Sequence, residues 1–384
     1  MKHGRDWQMT AREKDNLTEW IRIGPPEVRT RVYTFAFQPE RPDELIVGTR
    51  PEGFYRFNTK KKSWQPIDVG CKFTLGIGPN QHSVAISHRN RDVLFLAAEQ
   101  HGILRTENGG KSWVYANTGL RGKETLALNG ICFCFHPQDS KMMLYGSDGG
   151  LYKSKDIGQT WTHVQEGLPT LRRNLQADGR YWATSVCRIG VHSAFPDRVF
   201  AGIYCAPPDE SAGMYVSEDF GESWNPCSTG LPEGKFHDLN DHNGVHDFAI
   251  SNIDPRIMFV GLRTGLFETR NGGVSWQAVG PFRMPVSAVC FHPYDAGTTF
   301  VGLDDGSVSH STDHGKIWSE VSRGLPLNIR AERVAFRFRN YDGTEEERTE
   351  YRWRSRIWKL GINPKMPDEL YAATPFGLFQ RKIG

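Results

Sequence analysis

The octets TENGGKSW (Thr106 to Trp113), SKDIGQTW (Ser154 to Trp161), SEDFGESW (Ser217 to Trp224), TRNGGVSW (Thr269 to Trp276) and STDHGKIW (Ser311 to Trp318) share one pattern. Ser or Thr opens it, Asp or Asn stands third, Gly fifth and Trp eighth, and a degenerate copy, NTKKKSW, ends at Trp64. These residue types suit a hairpin turn. The Asp or Asn oxygen caps local backbone N–H groups, Gly accepts a positive φ, and Trp plugs between neighbouring sheets. Repetition of this kind marks an architecture built from one supersecondary unit.

Upstream of each octet lies an apolar strand, a Pro- or Asp-containing turn, a second apolar strand, then Gly and a third strand. Examples are YTFAFQPERPDELIVGT from Tyr33, CFCFHPQDSKMMLYGS from Cys132, FAISNIDPRIMFVGL from Phe248 and AVCFHPYDAGTTFVGL from Ala288. With the strand after the octet, each unit is four strands. Seven such openings occur, and the last, LGINPKMPDELYAAT from Leu360, reaches Gly384 before an octet of its own. The missing strand is expected in EKDNLTEWIRIG, where Asp15 and Trp20 keep the octet's Asp-to-Trp spacing. The pattern therefore predicts an all-β fold, a single seven-bladed β-propeller of four-stranded antiparallel blades. It is closed by the N-terminal strand joining the last blade and occupies residues 1–384 as one domain. Two stacked sandwich domains would leave the periodicity unexplained.

Composition agrees: 40 Gly, 22 Pro and 12% aromatics suit many short strands and tight turns. A formal charge of +3 is too balanced to imply nucleic acid, and no apolar run is long enough for a membrane span. Met1 to Trp20 lacks the apolar core of a signal peptide, so a cytoplasmic protein is expected. Of the seven cysteines, Cys132, Cys134 and Cys290 fall in apolar strand patterns, where a thiol acts as a small hydrophobe. No C-x-x-C pair suggests a cysteine metal site.

The octets resemble those of the BNR or Asp-box propellers, which include sialidases, xyloglucan-specific endoglucanases, sortilin-type receptors and photosystem II assembly factors. The resemblance covers essentially the whole chain. It implies the fold, while function must come from the site, because the same fold hosts enzymes and scaffolds. Sialidases are marked by an arginine triad, a tyrosine nucleophile with its glutamate, and Phe-Arg-Ile-Pro on the first strand. Here Phe282-Arg283-Met284-Pro285 precedes the sixth inner strand, and no such Tyr and Glu pair stands out. The related endoglucanases usually use two propellers and are secreted, which this chain does not match.

In a four-stranded antiparallel blade the octet turn and the first hairpin turn share one face. His136 and His292 of the two FHP turns therefore belong with the octets and read as structural. The opposite face holds the insertions, Arg121 to Ala127, Thr170 to Ser185, Ala206 to Gly213, Pro232 to Gly244 and Leu325 to Ser355. Function concentrates on loops carried by a rigid scaffold, so the site is expected there, around the central funnel. Aligned inner strands put Tyr33, His82, Ile131, Cys187, His246, Ser287 and Trp358 in one column at the channel mouth. Thr34, Ser83, Cys132, Arg188, Asp247, Ala288 and Lys359 follow in the next.

The densest chemistry is FHDLNDHNGVHDF, with His237, Asp238, Asp241, His242, His246 and Asp247. His246, Asp247, His242 and Asp241 are the candidate acid and base groups, since imidazole and carboxylate exchange protons near neutrality. His82, His242 and His246 are candidate ligands for a divalent cation of the zinc type, the one cofactor considered. Arg188, Tyr33, Trp182, Arg354, Arg356, Lys359 and Asp148 are candidate substrate contacts, the arginines as anion clamps and the aromatics as stacking faces. Asp304 and Asp305 stand with Asp148 among further carboxylates on the loops of this face.

The insertion 325–355 is expected to form a protruding β-ribbon about an Asp342-Gly343 turn. Phe336, Phe338, Tyr351 and Trp353 would share one side and Arg337, Arg339, Arg352, Arg354 and Arg356 the other. A lid over the funnel, a protein partner or a homodimer through this ribbon are all open readings. Nucleic acid is disfavoured by the glutamates at 345–347, which break the basic field. The favoured expectation is a hydrolase, glycosidase-like, binding a polar or anionic small molecule or saccharide in the funnel. The alternatives are a metal-dependent lyase or hydrolase and a non-catalytic protein-binding scaffold.

Overall fold

Alternating apolar residues build seven four-stranded antiparallel sheets, and the order of strands within each follows the chain. The computed structural model describes residues 19–26, 31–50, 53–70, 83–98, 101–120, 128–164, 166–169, 172–173, 181–182, 184–205, 212–233, 244–327, 331–339, 345–353 and 355–383. Blade 1 begins with the inner strand Arg31–Gln38, blade 2 with Ser83–Ile86 and blade 3 with Gly130–Phe135. Blades 4 to 7 begin with Ser185–His192, Val245–Ile250, Val286–Phe291 and Lys359–Asn363. No α-helix occurs among the described residues. The outer strand of blade 7 is Ile21–Gly24, paired antiparallel with Gly377–Lys382 through Ile21 and Gln380. The two ends of the described chain thus complete one sheet, as the spacing of Asp15 and Trp20 predicted.

The core lies between blades rather than within one layer. One buried cluster joins Leu144 and Cys132 of blade 3 to Val186 and Val199 of blade 4. Another joins Val32 and Phe35 of blade 1 to Tyr371 and Leu378 of blade 7. Seven clusters in all straddle the seven contacts between successive blades, so the ring has no unfilled seam. Trp20 seals the last junction, its indole Nε1 donating to Val321 O at 2.7 Å and its backbone N to Arg323 O at 2.9 Å.

Each octet closes on itself. Ser217 Oγ accepts from Gly221 N at 2.7 Å, and Asp219 Oδ1 accepts from Glu222 N and Ser223 N at 2.9 and 3.0 Å. Burial opposes the charge of Asp219, but hydrogen bonds from Ser223, Ser217 and the backbone outweigh it and hold its pKa down at about 2. The residue between Asp and Gly also has positive φ: Gly in two octets, but Ile157, Phe220 and His314 in the other three. Its backbone N bonds the first hairpin turn of the same blade, as Phe220 N does to Asp197 O at 2.7 Å. Octets and first hairpin turns therefore share a face. His136 caps its turn there, its Nδ1 accepting from Gln138 N and Asp139 N at 3.1 and 2.9 Å, as the structural reading expected.

The inner strands carry a feature that positions the site. In blades 1, 3, 4, 5 and 6 the register slips one residue near the strand start, between Val32 and Thr34, Gly130 and Cys132, Val186 and Arg188, Val245 and Asp247, and Val286 and Ala288. The skipped residues are Tyr33, Ile131, Cys187, His246 and Ser287. A β-bulge of this kind re-aims a side chain out of the strict alternation of a strand. Opposite each slip stands a glycine of the second strand, such as Gly261 paired with Asp247. A Cβ on Gly261 would strike the Val286 carbonyl of the next blade.

The ribbon exists as the antiparallel pair Ala331–Arg339 and Glu345–Trp353, with the expected turn residues outside the described set. Its backbone register pairs the two strands residue by residue. Phe336 pairs with Arg348 and Phe338 with Glu346, while Tyr351 pairs with Arg333. The side chains of these strands, and with them the expected aromatic and arginine sides, lie outside the described set. Arg337 and Arg339 pair with Glu347 and Glu345, so each of these two arginines has an acidic residue opposite it.

Candidate functional site

The bulged ends of the inner strands surround a cavity of about 320 Å³ at the end of the channel away from the octets. Tyr33, Thr34, Ser83, Ile131, Cys132, Cys187, Arg188, His246, Asp247, Ser287, Trp358 and Lys359 line it, joined by Arg356. Two consecutive residues of one strand face it together because of the bulge, as at Arg188 after Cys187 and Asp247 after His246. The described members of the two columns aligned from the sequence are this lining, apart from Ala288, which is buried in the seam between blades 6 and 7.

Charges in the cavity are arranged across blades. Arg188 Nε of blade 4 lies 3.5 Å from Asp247 Oδ1 of blade 5, and Asp247 Oδ2 accepts from Val289 N of blade 6 at 2.9 Å. Burial pushes the Asp247 pKa up, and the Arg188 charge and the Val289 bond oppose that rise. Arg356 Nε stands 3.0 Å from Asp304 Oδ1, and its Nη2 is 2.6 Å from His246 Nδ1. With Nδ1 accepting, the neutral imidazole carries its proton on Nε2. Burial likewise raises Asp304, against the Arg356 charge. Lys359 donates to Thr34 Oγ1 at 3.4 Å and sits 5.4 Å from the centre of the Phe35 ring.

The aromatic element is a stacked pair. Tyr33 of blade 1 and Trp358, just before the first strand of blade 7, lie with ring centroids 3.8 Å apart and planes 19° from parallel. Tyr204 meets His246 edge-on at 5.2 Å. The three thiols near the cavity are unreactive hydrophobes. Burial pushes Cys132 and Cys290 up to about 12, and Cys187 well above its ordinary value.

Of the candidate residues, Tyr33, Arg188, His246, Asp247, Arg356 and Lys359 come together here. Asp148 is not in the lining; its carboxylate accepts from Ser185 Oγ at 2.8 Å and ties blade 3 to blade 4. Trp182 lies in the short strand Tyr181–Trp182, paired with Arg172–Arg173. His82, Asp241, His242 and Arg354 fall outside the described residues. Among the described residues no group of three or more His, Cys, Asp or Glu forms a metal cluster, and two of the three proposed metal ligands, His82 and His242, are not among them. The pairing of Arg356 with Asp304 and His246 is the part that sequence reasoning missed. Asp304 was one of several equal loop carboxylates, and only the fold of the 6-to-7 connection selects it.

A closed ring of seven blades with a cationic, aromatic channel mouth defines the class: a seven-bladed β-propeller consistent with the Asp-box superfamily. Its likenesses include xyloglucanases and a smaller protein of about its own length. Over 198 residues the chain is 28% identical to an oligoxyloglucan-reducing end-specific xyloglucanase of Emericella nidulans, covering 48% of this chain and 22% of that enzyme. The GH74 xyloglucanase of Xanthomonas campestris superposes with a TM-score of 0.66 at 19% identity, over 95% of this chain and 53% of that one. YCF48 of Cyanidioschyzon merolae superposes with a TM-score of 0.60 at 12% identity, over 95% of this chain and 98% of that one, and YCF48 has also been solved bound to a D1 peptide. No family model matches the chain.

Proposed function

We propose that this is a glycosidase-like propeller that binds an acidic saccharide, or a small anionic molecule of similar polarity, at its channel mouth. The observation that carries the reading is the cavity lining, where, among the described residues, Arg188 and Lys359 face one carboxylate, Asp247, beside the Tyr33–Trp358 stack, and Arg356, paired with Asp304, joins them. Guanidinium forks hold carboxylates, and aromatic faces support sugar rings. His246 and Asp247 are the acid–base candidates for hydrolysis, and the raised Asp304 carboxyl, held by Arg356, is a third. Similarity to xyloglucanases supports hydrolysis as the activity. The free thiols of Cys132, Cys134, Cys187, Cys227 and Cys290 support a cytoplasmic site of action.

Titration of the purified protein with glucuronic and galacturonic acid oligosaccharides, against neutral xyloglucan oligosaccharides, tests the reading. Saturable binding of the acidic series with release of reducing ends is expected, and survival of release in chelator would set aside the metal-dependent alternative. No binding of either series overturns it. A second reading, capture of a peptide through a carboxylate at the same mouth, is favoured by the near-complete coverage of the YCF48 chain. It predicts binding of acidic peptides with no sugar release.

A further inference from the structure

Lys359 opens the inner strand of blade 7 and lines the cavity. An enclosed ammonium ordinarily gathers carboxylates or several oxygen acceptors. Among the described residues Lys359 makes one long hydrogen bond, to Thr34 Oγ1 at 3.4 Å, and faces the Phe35 ring. The one carboxylate of the lining among the described residues, Asp247, is engaged by Arg188 and Val289 N. The charged and titratable groups that face Lys359 are the Arg188 guanidinium of blade 4, Asp247 of blade 5 and the Cys290 thiol of blade 6. Desolvation first, then the Arg188 charge, hold Lys359 down at about 8 against the pull of Asp247. A lysine desolvated beside another cation is the arrangement that makes an amine nucleophilic.

We propose that Lys359 Nζ captures the carbonyl carbon of a small oxo acid, or of an acidic sugar in its open-chain form, as an imine, while Arg188 holds the carboxylate. The inference rests on the acidic-ligand reading of the channel mouth. The neutral amine lone pair forms the N–C bond, and the carbonyl π pair moves to oxygen. A proton passes from that nitrogen to the oxygen and gives a carbinolamine. The nitrogen lone pair then expels the hydroxyl, which leaves as water after taking one further proton from solvent in the open cavity. The product is an iminium, and the step reverses by adding water; no oxidant or reductant takes part.

The test is reductive trapping on the full chain with pyruvate and cyanoborohydride at pH near 8, read by intact mass and peptide mapping. One adduct on the Lys359 peptide is expected, forming on the order of tenfold or more faster than on surface lysines because more of this amine is neutral. The adduct is lost in Lys359→Arg, whose unchanged circular dichroism and melting midpoint show that the fold survives. Arg188→Lys, and Arg188→Met where it folds, slow trapping of pyruvate but not of neutral glycolaldehyde. Scattered labelling without preference for Lys359, or an unchanged adduct in Lys359→Arg, overturns the proposal. Binding of acidic sugars with Lys359 unlabelled sinks this inference alone, whereas absence of both sinks the acidic-ligand reading with it.

Discussion

The octet face and the channel mouth use the same residue kinds to opposite ends. On the octet face, Asp219 is met by Ser217, Ser223 and two backbone N–H groups, all from its own turn, and its pKa falls to about 2. At the mouth, Asp247 is met by Arg188 and Val289 from two other blades, and burial drives its pKa upward. A carboxylate satisfied by its own turn is structural and complete. One whose charge partner comes from another blade depends on the closed ring, and its arginine keeps donors for something else.

The contrast can be broken at graded cost. The largest effect is expected at the ring itself. Gly324 has φ +95°, and a Cβ there would collide with the Trp20 carbonyl. Gly324→Ala should cost about 3 kcal/mol, read from urea unfolding, and an unchanged midpoint would show that the N-terminal strand does not seal the ring. Next comes the mouth, where Arg188→Met removes the paired guanidinium of Asp247 and leaves it only the more distant Lys359. The Arg188 side chain is 39% exposed. Its loss should therefore cost about 2 kcal/mol, less than breaking a fully buried pair. Adding Asp247→Asn should restore much of that loss, but not ligand binding. Smaller again is Ser217→Ala, which frees the Gly221 N–H and should cost about 1 kcal/mol with binding unchanged.

Acid separates the two faces further. Asp219 has a depressed folded pKa, so its contribution is fully present above the unfolded value of about 3.9 and fades as pH falls towards about 2. Asp247 and Lys359 act on binding instead. As pH falls through the raised pKa of Asp247, the mouth gains positive charge; as pH rises through about 8, Lys359 loses it. Affinity for an anionic ligand should therefore decline steadily from acid to alkaline pH in calorimetric titrations, and a flat profile would argue against these charges. The smallest effect is expected at Val274, in the blade 5 octet and 67% exposed. Val274→Ser should change the urea midpoint by less than about 0.5 kcal/mol in stability and leave binding alone.

Much of this was legible because repetition overdetermines it. Five good octets, seven strand openings and a displaced Trp20 fix blade number and closure without any single residue being decisive. The columns at the mouth followed from aligning those openings, but the reason that two neighbours both face the channel did not. That reason is the slip at Tyr33, Ile131, Cys187, His246 and Ser287, and nothing in strand alternation announces a bulge. Glycines 119, 167, 230 and 324 were a readable signal left unused. Each follows a blade, has positive φ and abuts the backbone of a tryptophan in the neighbouring blade. The ribbon was legible as a strand pair from its alternation about one turn signal, but it occurs once, so no second copy fixes its register.

Closure by the two ends has a consequence in time. Thr34 and Lys359 bond across 325 positions of sequence, and Tyr33 stacks on Trp358 over the same span. In order of synthesis the inner strands of blades 1 to 6 precede the partners of Tyr33 and Thr34, so the lining of the channel mouth is not complete until the seventh blade meets the first strand.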